Sequence, residues 1–236
     1  MVKLSIDEVL PKFPDFRVAL VLSEGLALAE QRTPALAEIV AGVEAEVTAG
    51  WGERPSGEIP EIKAWREAYK GFGVKKTSYR SSVERLIRSI QRGRGLPAVN
   101  SLVDAYNAAS ARHRMPVGAD DLDKVAGDLA FRYARPEDSF VALGDETQSN
   151  DPPKSGEVVY ADGEKVLCRR WNWYQDARSA TTPQTRRAVI TVQHLGAAEA
   201  LLAATEELQS WIEAHCGGRC AWAIADATNP QATAGL

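Results

Sequence analysis

Residues that build metal sites and disulfide frameworks are scarce in this chain: three cysteines, three histidines and two methionines among 236 residues. Cys168, Cys216 and Cys220 cannot close a full disulfide framework and fit a reducing compartment. His215-Cys216 followed by Cys220 lacks a second ligand pair at zinc spacing and reads as structural, so no metal is expected. No apolar run approaches the ~18 residues of a membrane helix; the longest, Val18 to Leu22, reads as a strand. There is no G-x-G-x-x-G, no Walker loop and no internal repeat. A dinucleotide fold, a P-loop enzyme and a flavin-binding barrel therefore all lack their phosphate cradle, and no cofactor is expected. His113, His194 and His215 sit in helical or strand-end contexts without a convincing Ser-His-Asp set, and read as structural. The N-terminus carries acids and no apolar core before a cleavage site. A cytoplasmic protein with no membrane partner is the expectation.

What is present is a globular composition, 44% hydrophobic and 25% charged, in a chain long enough for one large domain spanning 1–236. The net charge of −4 argues against indiscriminate coating of nucleic acid. Yet ten basic residues against two acids lie between Lys63 and Arg94. Such a stripe is either a solvated helix face or a footprint for a phosphate-bearing partner. Ser81-x-x-Glu84 marks a capping box before the stripe Val83, Leu86, Ile87 and Ile90. Arg85, Arg88 and Arg92 fall towards another face.

Phe16 to Leu22 reads as a first strand. Thr33-Pro34 opens a helix with the apolar stripe Leu36, Ile39, Val40, Val43 and Val47. A short helix covers Glu61 to Lys70. After Gly127 the periodicity turns to strands: Leu129 to Ala134, Ser139 to Leu143, and Glu157 to Tyr160 with Lys165 to Cys168, joined by Asp162-Gly163, a tight hairpin signal. Thr147 to Ser155 reads as a polar loop able to cover a pocket mouth. Strand Ala188 to Val192, helix Ala197 to His215 and strand Cys220 to Ala225 follow, with a frayed tail from Thr228. Hairpin strands with helices before and after them predict α+β, with a barrel-like mixed β-sheet core flanked by helices.

Two stretches stand out. Leu96 to Asp128 holds a helix capped by Asn100 and Ser101, ending near Arg114 before Pro116, and then a loop with Gly118 and acids Asp120, Asp121 and Asp123. It is either an ordinary acidic loop or the edge of a binding pocket. Cys168 to Asp176 (CRRWNWYQD) sets two arginines and three aromatics beside Asn172, Gln175 and Asp176. That mixture suits a phosphate, a base or a planar ligand; the alternative is a strand end packing its tryptophans into the core.

Val103-Asp-Ala-Tyr-Asn107, Pro116-Val-Gly-Ala-Asp120 and Asp123-Lys-Val-Ala-Gly-Asp128 resemble the editing domain of the phenylalanyl-tRNA synthetase beta subunit. There the corresponding runs read V-D-x-T-N, P-x-H-A-[FY]-D and D-x-x-[KR]-[IL]-x-G. The resemblance covers about residues 80 to 180, with Leu143-Gly144-Asp145 and Ala161 to Arg170 in the same order. It implies a free-standing relative that binds the acylated 3′ end of tRNA and hydrolyses the ester of a mischarged amino acid, a translation quality-control activity. By position, Asn107 and Asp176 carry the catalytic site, Asn107 lining the amino-acid pocket and Asp176 near the family's specificity glutamate. Tyr106, Gly118, Asp120, Arg169, Arg170, Trp171 and Asn172 are expected to bind substrate, and Arg80, Arg85, Arg88 and Arg92 the RNA. The family's threonine is Tyr106 here, its loop histidine is Gly118, and its glycine-rich segment is Arg169 to Trp173. The loss at Gly118 favours the alternative, a non-catalytic module for RNA or an amino-acid-like ligand.

Overall fold

Strand β2 (Phe16–Glu24) is apolar without a break from Val18 to Leu22 because both of its faces are covered. Side chains alternate across a strand. Phe16, Val18, Leu20 and Leu22 accordingly enter one core, while Ala19 and Val21 enter another. β2 is central in a four-stranded sheet of order β3 (Val117–Asp121), β8 (Arg187–Leu195), β2, β9 (Arg219–Ala225). The other sheet has six strands: β10 (Gln231–Ala234), β1 (Val2–Ser5), β4 (Leu129–Tyr133), β5 (Val158–Ala161), β6 (Val166–Arg169) and β7 (Tyr174–Gln175). Among the described residues, β1 and β4 run parallel and the remaining pairs are antiparallel. The structure, a computed structural model, describes residues 1–76 and 78–236.

Among the described residues, five α-helices flank the sheets: α1 (Pro34–Trp51), α2 (Pro60–Gly71), α3 (Ser82–Gln91), α4 (Ser101–His113) and α5 (Ala198–His215). Thr33 caps α1 by accepting from the Leu36 N–H, with Pro34 at the first helical position. The Asn100 side chain accepts from the Val103 N–H and so starts α4. α4 is buried from Ser101 to Ala111, between α1 and α5. It ends where Arg114 turns left-handed, φ 58°. No described helix is long and apolar enough to cross a membrane.

The α+β expectation holds, with two open sheets sharing a core in place of a closed barrel. Three local expectations are corrected. Residues 117–121 are a strand, because Val117 and Ala119 alternate with Gly118 and Asp120 and the backbone pairs with β8. Residues 139–143 make isolated bridges, Val141 to Asn150 and Ala142 to Asp176, and no strand. The segment after Thr228 is pinned as β10 by pairing with β1, Val2 opposite Ala234.

Trp171, expected to bind substrate, is fully buried. Its ring lies 4.8 Å from Phe13, 4.8 Å from Phe16, 5.3 Å from Trp65 and 6.0 Å from Phe72, centre to centre. It is a core residue, as packing of the tryptophans inward would have it, whereas Trp173 lines a cavity and Arg169 and Arg170 are buried rather than in solvent. Truncating a buried tryptophan leaves a cavity that neighbours fill only in part. Trp171→Ala is expected to cost about 3–5 kcal/mol, read as a fall in the denaturant midpoint.

Candidate functional site

A cavity of about 920 Å³ opens between α3, α4, β3, β8 and the β6–β7 edge of the larger sheet. Each element presents it with one face. On α4, Val103, Tyr106 and Asn107 stand at i, i+3 and i+4. On α3, Ser82, Arg85, Leu86 and Ser89 recur at helical spacing, with Arg92 at the C-cap, while Val83, Ile87 and Ile90 turn into the core. Leu86 is thus half-buried at the cavity rather than in the buried stripe. Thr191 and Gln193 point from β8 at strand spacing, and Gly118 lies opposite Thr191 in the β3–β8 register.

Asp120 is the chemical centre of this wall. Its side chain is nearly buried, and Ser179 Oγ (2.7 Å) and Gln175 Nε2 (3.0 Å) both donate to its Oδ1. No described residue bonds Oδ2. Burial disfavours the carboxylate and lifts its pKa to about 7, outweighing the two donors that favour the charged form. Burial first, and the nearby Asp120 charge second, push up the Tyr106 and Tyr160 phenols. Tyr160 lines the cavity with a buried hydroxyl that has no partner among the described residues. Cys168 also lines it, but burial pushes its thiol up, so it is a poor nucleophile at neutral pH.

A hydrogen-bond relay stiffens the adjoining part of the wall on β8. Tyr69 Oη donates to Asn172 Oδ1 (2.9 Å), Asn172 Nδ2 donates to Gln193 Oε1 (3.0 Å), and Gln193 Nε2 donates to Thr191 Oγ1 (3.2 Å). By contrast, the Asn107 carboxamide, 8% exposed, bonds no described residue and remains available to a ligand.

The rim is cationic. Arg80, Arg85, Arg88, Arg92 and Arg94 all border the opening. Arg80 donates to the buried Glu84 (3.1 Å), and Arg85 donates to the Trp173 carbonyl (2.9 Å) beside the Tyr174 ring. Arg88 and Arg92 have no acid partner among the described residues. Burial, then the like charges of Arg80 and Arg92, lower the Arg88 pKa, which marks a crowded positive patch. The Ser81-x-x-Glu84 box forms by half: Ser81 Oγ accepts from the Glu84 N–H, but the Glu84 carboxylate turns to Arg66, Arg80 and Ser56.

The structure therefore brings together Tyr106, Asn107, Gly118, Asp120, Asn172 and the four predicted arginines. It does not bring in four others. Asp176 is fully buried and its carboxylate accepts from Arg178 (2.7 Å) and from the Val141 N–H (2.8 Å). Arg169 is buried against Glu157 (3.0 Å) and Asp151, so it is not free to meet a phosphate. Arg170 is 7% exposed between the Tyr79 and Trp173 rings, and Trp171 is in the core. The loop at 147–155 contributes none of the lining; Asp151 holds Arg169 and Asn150 pairs with Val141. Sequence reasoning missed Tyr160, Thr191, Gln193 and Arg94. Polar residues at alternate positions inside an apolar strand were the available signal for Thr191 and Gln193.

Helices on two β-sheets, with a buried acid and an arginine rim on one cavity, make up an α+β fold. The chain belongs to the B3/4 domain family, whose model matches residues 64–217. It is 31% identical over 99 residues, 42% of this chain, to the phenylalanine–tRNA ligase beta subunit of Fusobacterium nucleatum. That stretch is 12% of the relative's own length. An N-terminal fragment of the phenylalanyl-tRNA synthetase beta-subunit from Pyrococcus horikoshii superimposes with a TM-score of 0.47 at 14% identity, covering 89% of this chain and 48% of that one.

An acid whose pKa is raised by folding is bound to its proton more tightly in the native state than in the unfolded chain. Stability then falls as pH rises from about 4, where the unfolded carboxyl ionises, to about 7. Asp120→Asn removes that charge, so its melting temperature is expected to match the parent near pH 4 and to exceed it above pH 7. Thermal unfolding at pH 4, 5 and 8 checks this; an equal difference at all three pH values contradicts it.

Proposed function

We propose that this chain binds the acylated 3′ end of tRNA and hydrolyses the ester of a mischarged amino acid. The observation that carries the reading is one cavity lined both by unpaired arginines and by a buried carboxylate with a pKa of about 7. The relationship to the phenylalanine–tRNA ligase beta subunit supports tRNA as the partner.

An aminoacyl ester is already activated, so its hydrolysis needs a placed water and stabilisation of the developing oxyanion rather than a strong nucleophile. Asp120 is suited to take the proton from that water, because a base poised near the working pH is half in the required form and still binds a proton. Its Oδ2 faces no competing donor among the described residues. The Asn107 amide is the candidate donor to the substrate, and the Thr191–Gln193–Asn172 relay fixes the wall against which the amino acid rests. Arg88 and Arg92 then hold the phosphates of the acceptor end. Asp176, Arg169, Arg170 and Trp171 act by shaping this wall and not by touching substrate.

One observation favours the second reading, a binding module without hydrolysis: at Gly118 no side chain enters the cavity. Incubation with a panel of mischarged tRNAs separates the two. Deacylation above the blank for at least one of them is expected, with a rate that rises through about pH 7 and levels off above it. Asp120→Asn should abolish that rise, and Asn107→Ala should slow deacylation about ten-fold with tRNA affinity intact. No deacylation of any substrate defeats the enzyme reading. For binding, Arg88→Gln/Arg92→Gln is expected to lower the slope of log affinity against log salt by about two. A parent affinity independent of salt contradicts the arginine rim.

A further inference from the structure

A second cavity, of about 380 Å³, lies beside the first. The segment between Ser78 and Ser82 is the wall between them. Ser78 and Ser82 line the first cavity, Tyr79 and Ser81 line the second, and Arg80 lines both. An extended backbone sends successive side chains to opposite sides, and Ser81 is extended, φ −54° and ψ 152°. The two chambers are therefore joined through one arginine.

The chemistry of the second chamber is cationic and aromatic. Arg66, Lys70, Lys75, Lys76 and Arg80 meet one acid there, Glu84. The Glu84 carboxylate is taken up by Arg66 (2.6 Å) and Arg80 (3.1 Å), and Lys70 meets Glu67 in an exposed pair that contributes little. Lys75 and Lys76 are exposed and have no acid partner among the described residues. Tyr79 supplies the aromatic surface, and it is rigidly backed. The Arg170 guanidinium lies 3.9 Å from the Tyr79 ring centre and 4.4 Å from that of Trp173, and the two rings stand edge to face at 5.0 Å. Arg170 is nearly buried, and its Nη1 has no hydrogen-bond partner among the described residues. A ring preloaded with a cation on one side is a stacking platform for a base, and adjacent lysines are a seat for its phosphate.

The geometry points to a nucleotide-binding subsite in the second cavity: a base on Tyr79, its phosphate on Lys75 and Lys76, and Arg80 on the linkage leading to the first cavity. It rests on reading the first cavity as the seat of an RNA 3′ end, and it extends that reading to the nucleotide upstream of the terminal one. A free mononucleotide offers the same chemistry, so the test has an arm for each source.

Binding of adenosine 5′-monophosphate and of the trinucleotide 5′-CCA-3′ is measured on the full chain, on Tyr79→Leu and on Lys75→Gln/Lys76→Gln. The trinucleotide should bind the parent at least ten-fold more tightly than the mononucleotide. Tyr79→Leu should weaken the trinucleotide roughly five- to hundred-fold, the range for loss of one base–aromatic stack. The lysine pair should weaken it as well and flatten its salt dependence, while both variants keep the parent affinity for the mononucleotide. Equal loss for both ligands keeps the nucleotide site and makes its natural occupant a free mononucleotide. Trinucleotide binding unchanged in both variants overturns the subsite and leaves the first cavity's reading intact. If the parent binds neither ligand, both readings fall. Should Tyr79→Leu not fold, the two exposed lysines still decide the matter.

Discussion

Burial of one indole organises much of this molecule. Arg170 and Trp171 are consecutive non-glycine residues in the left-handed region, φ 46° and 68°. Such backbone costs on the order of 1–3 kcal/mol per residue and persists only where the surroundings over-determine it. Here Trp171 drops into a nest of four aromatic rings, and its backbone N–H donates to the Val158 carbonyl (2.7 Å), while its indole N–H has no partner among the described residues. Because Trp171 goes inward, Arg170 is thrown between Tyr79 and Trp173, and Asn172 is delivered to Tyr69 and Gln193. The Asn172 carbonyl also accepts from the Ser82 N–H at the start of α3 (2.9 Å). One buried side chain thereby ties the sheet edge to the helix that carries the arginine rim.

Charge is partitioned by burial. Arg132 with Asp138, Arg169 with Glu157 and Arg178 with Asp176 are pairs with at least one member withdrawn from water. Removing one partner from such a pair strands the other charge, so these arginines are held to their acids. Arg88, Arg92 and Arg94 keep theirs for the opening. Linear sequence shows both sets as the same residue type, and only the fold sorts them.

This accounts for what was legible and what was not. The hydrophobic period of β2 and of the helices, the Asn100 and Thr33 caps and the Asp162-Gly163 hairpin are local signals, and the structure follows them. The α4 run was legible through its motif, and Tyr106 and Asn107 do face the cavity. Arg169 to Asp176 was read for its composition, whereas its roles follow from distant partners: Glu157 and Asp151 for Arg169, the aromatic nest for Trp171, Arg178 for Asp176. The short strand at Val117 was hidden by the Pro, Gly and Asp around it, residues that ordinarily punctuate turns. Its strand character comes from β8, about seventy residues further on.

Gly118 has a consequence of its own. A methyl group built there would meet no atom within 4 Å, and its backbone lies outside the left-handed region. Neither sterics nor conformation holds the position to glycine. The depth of the chamber beside Thr191 is thus set by a side chain that the fold is free to gain, so the range of ligands can change by single substitutions while the cores around it stay as they are.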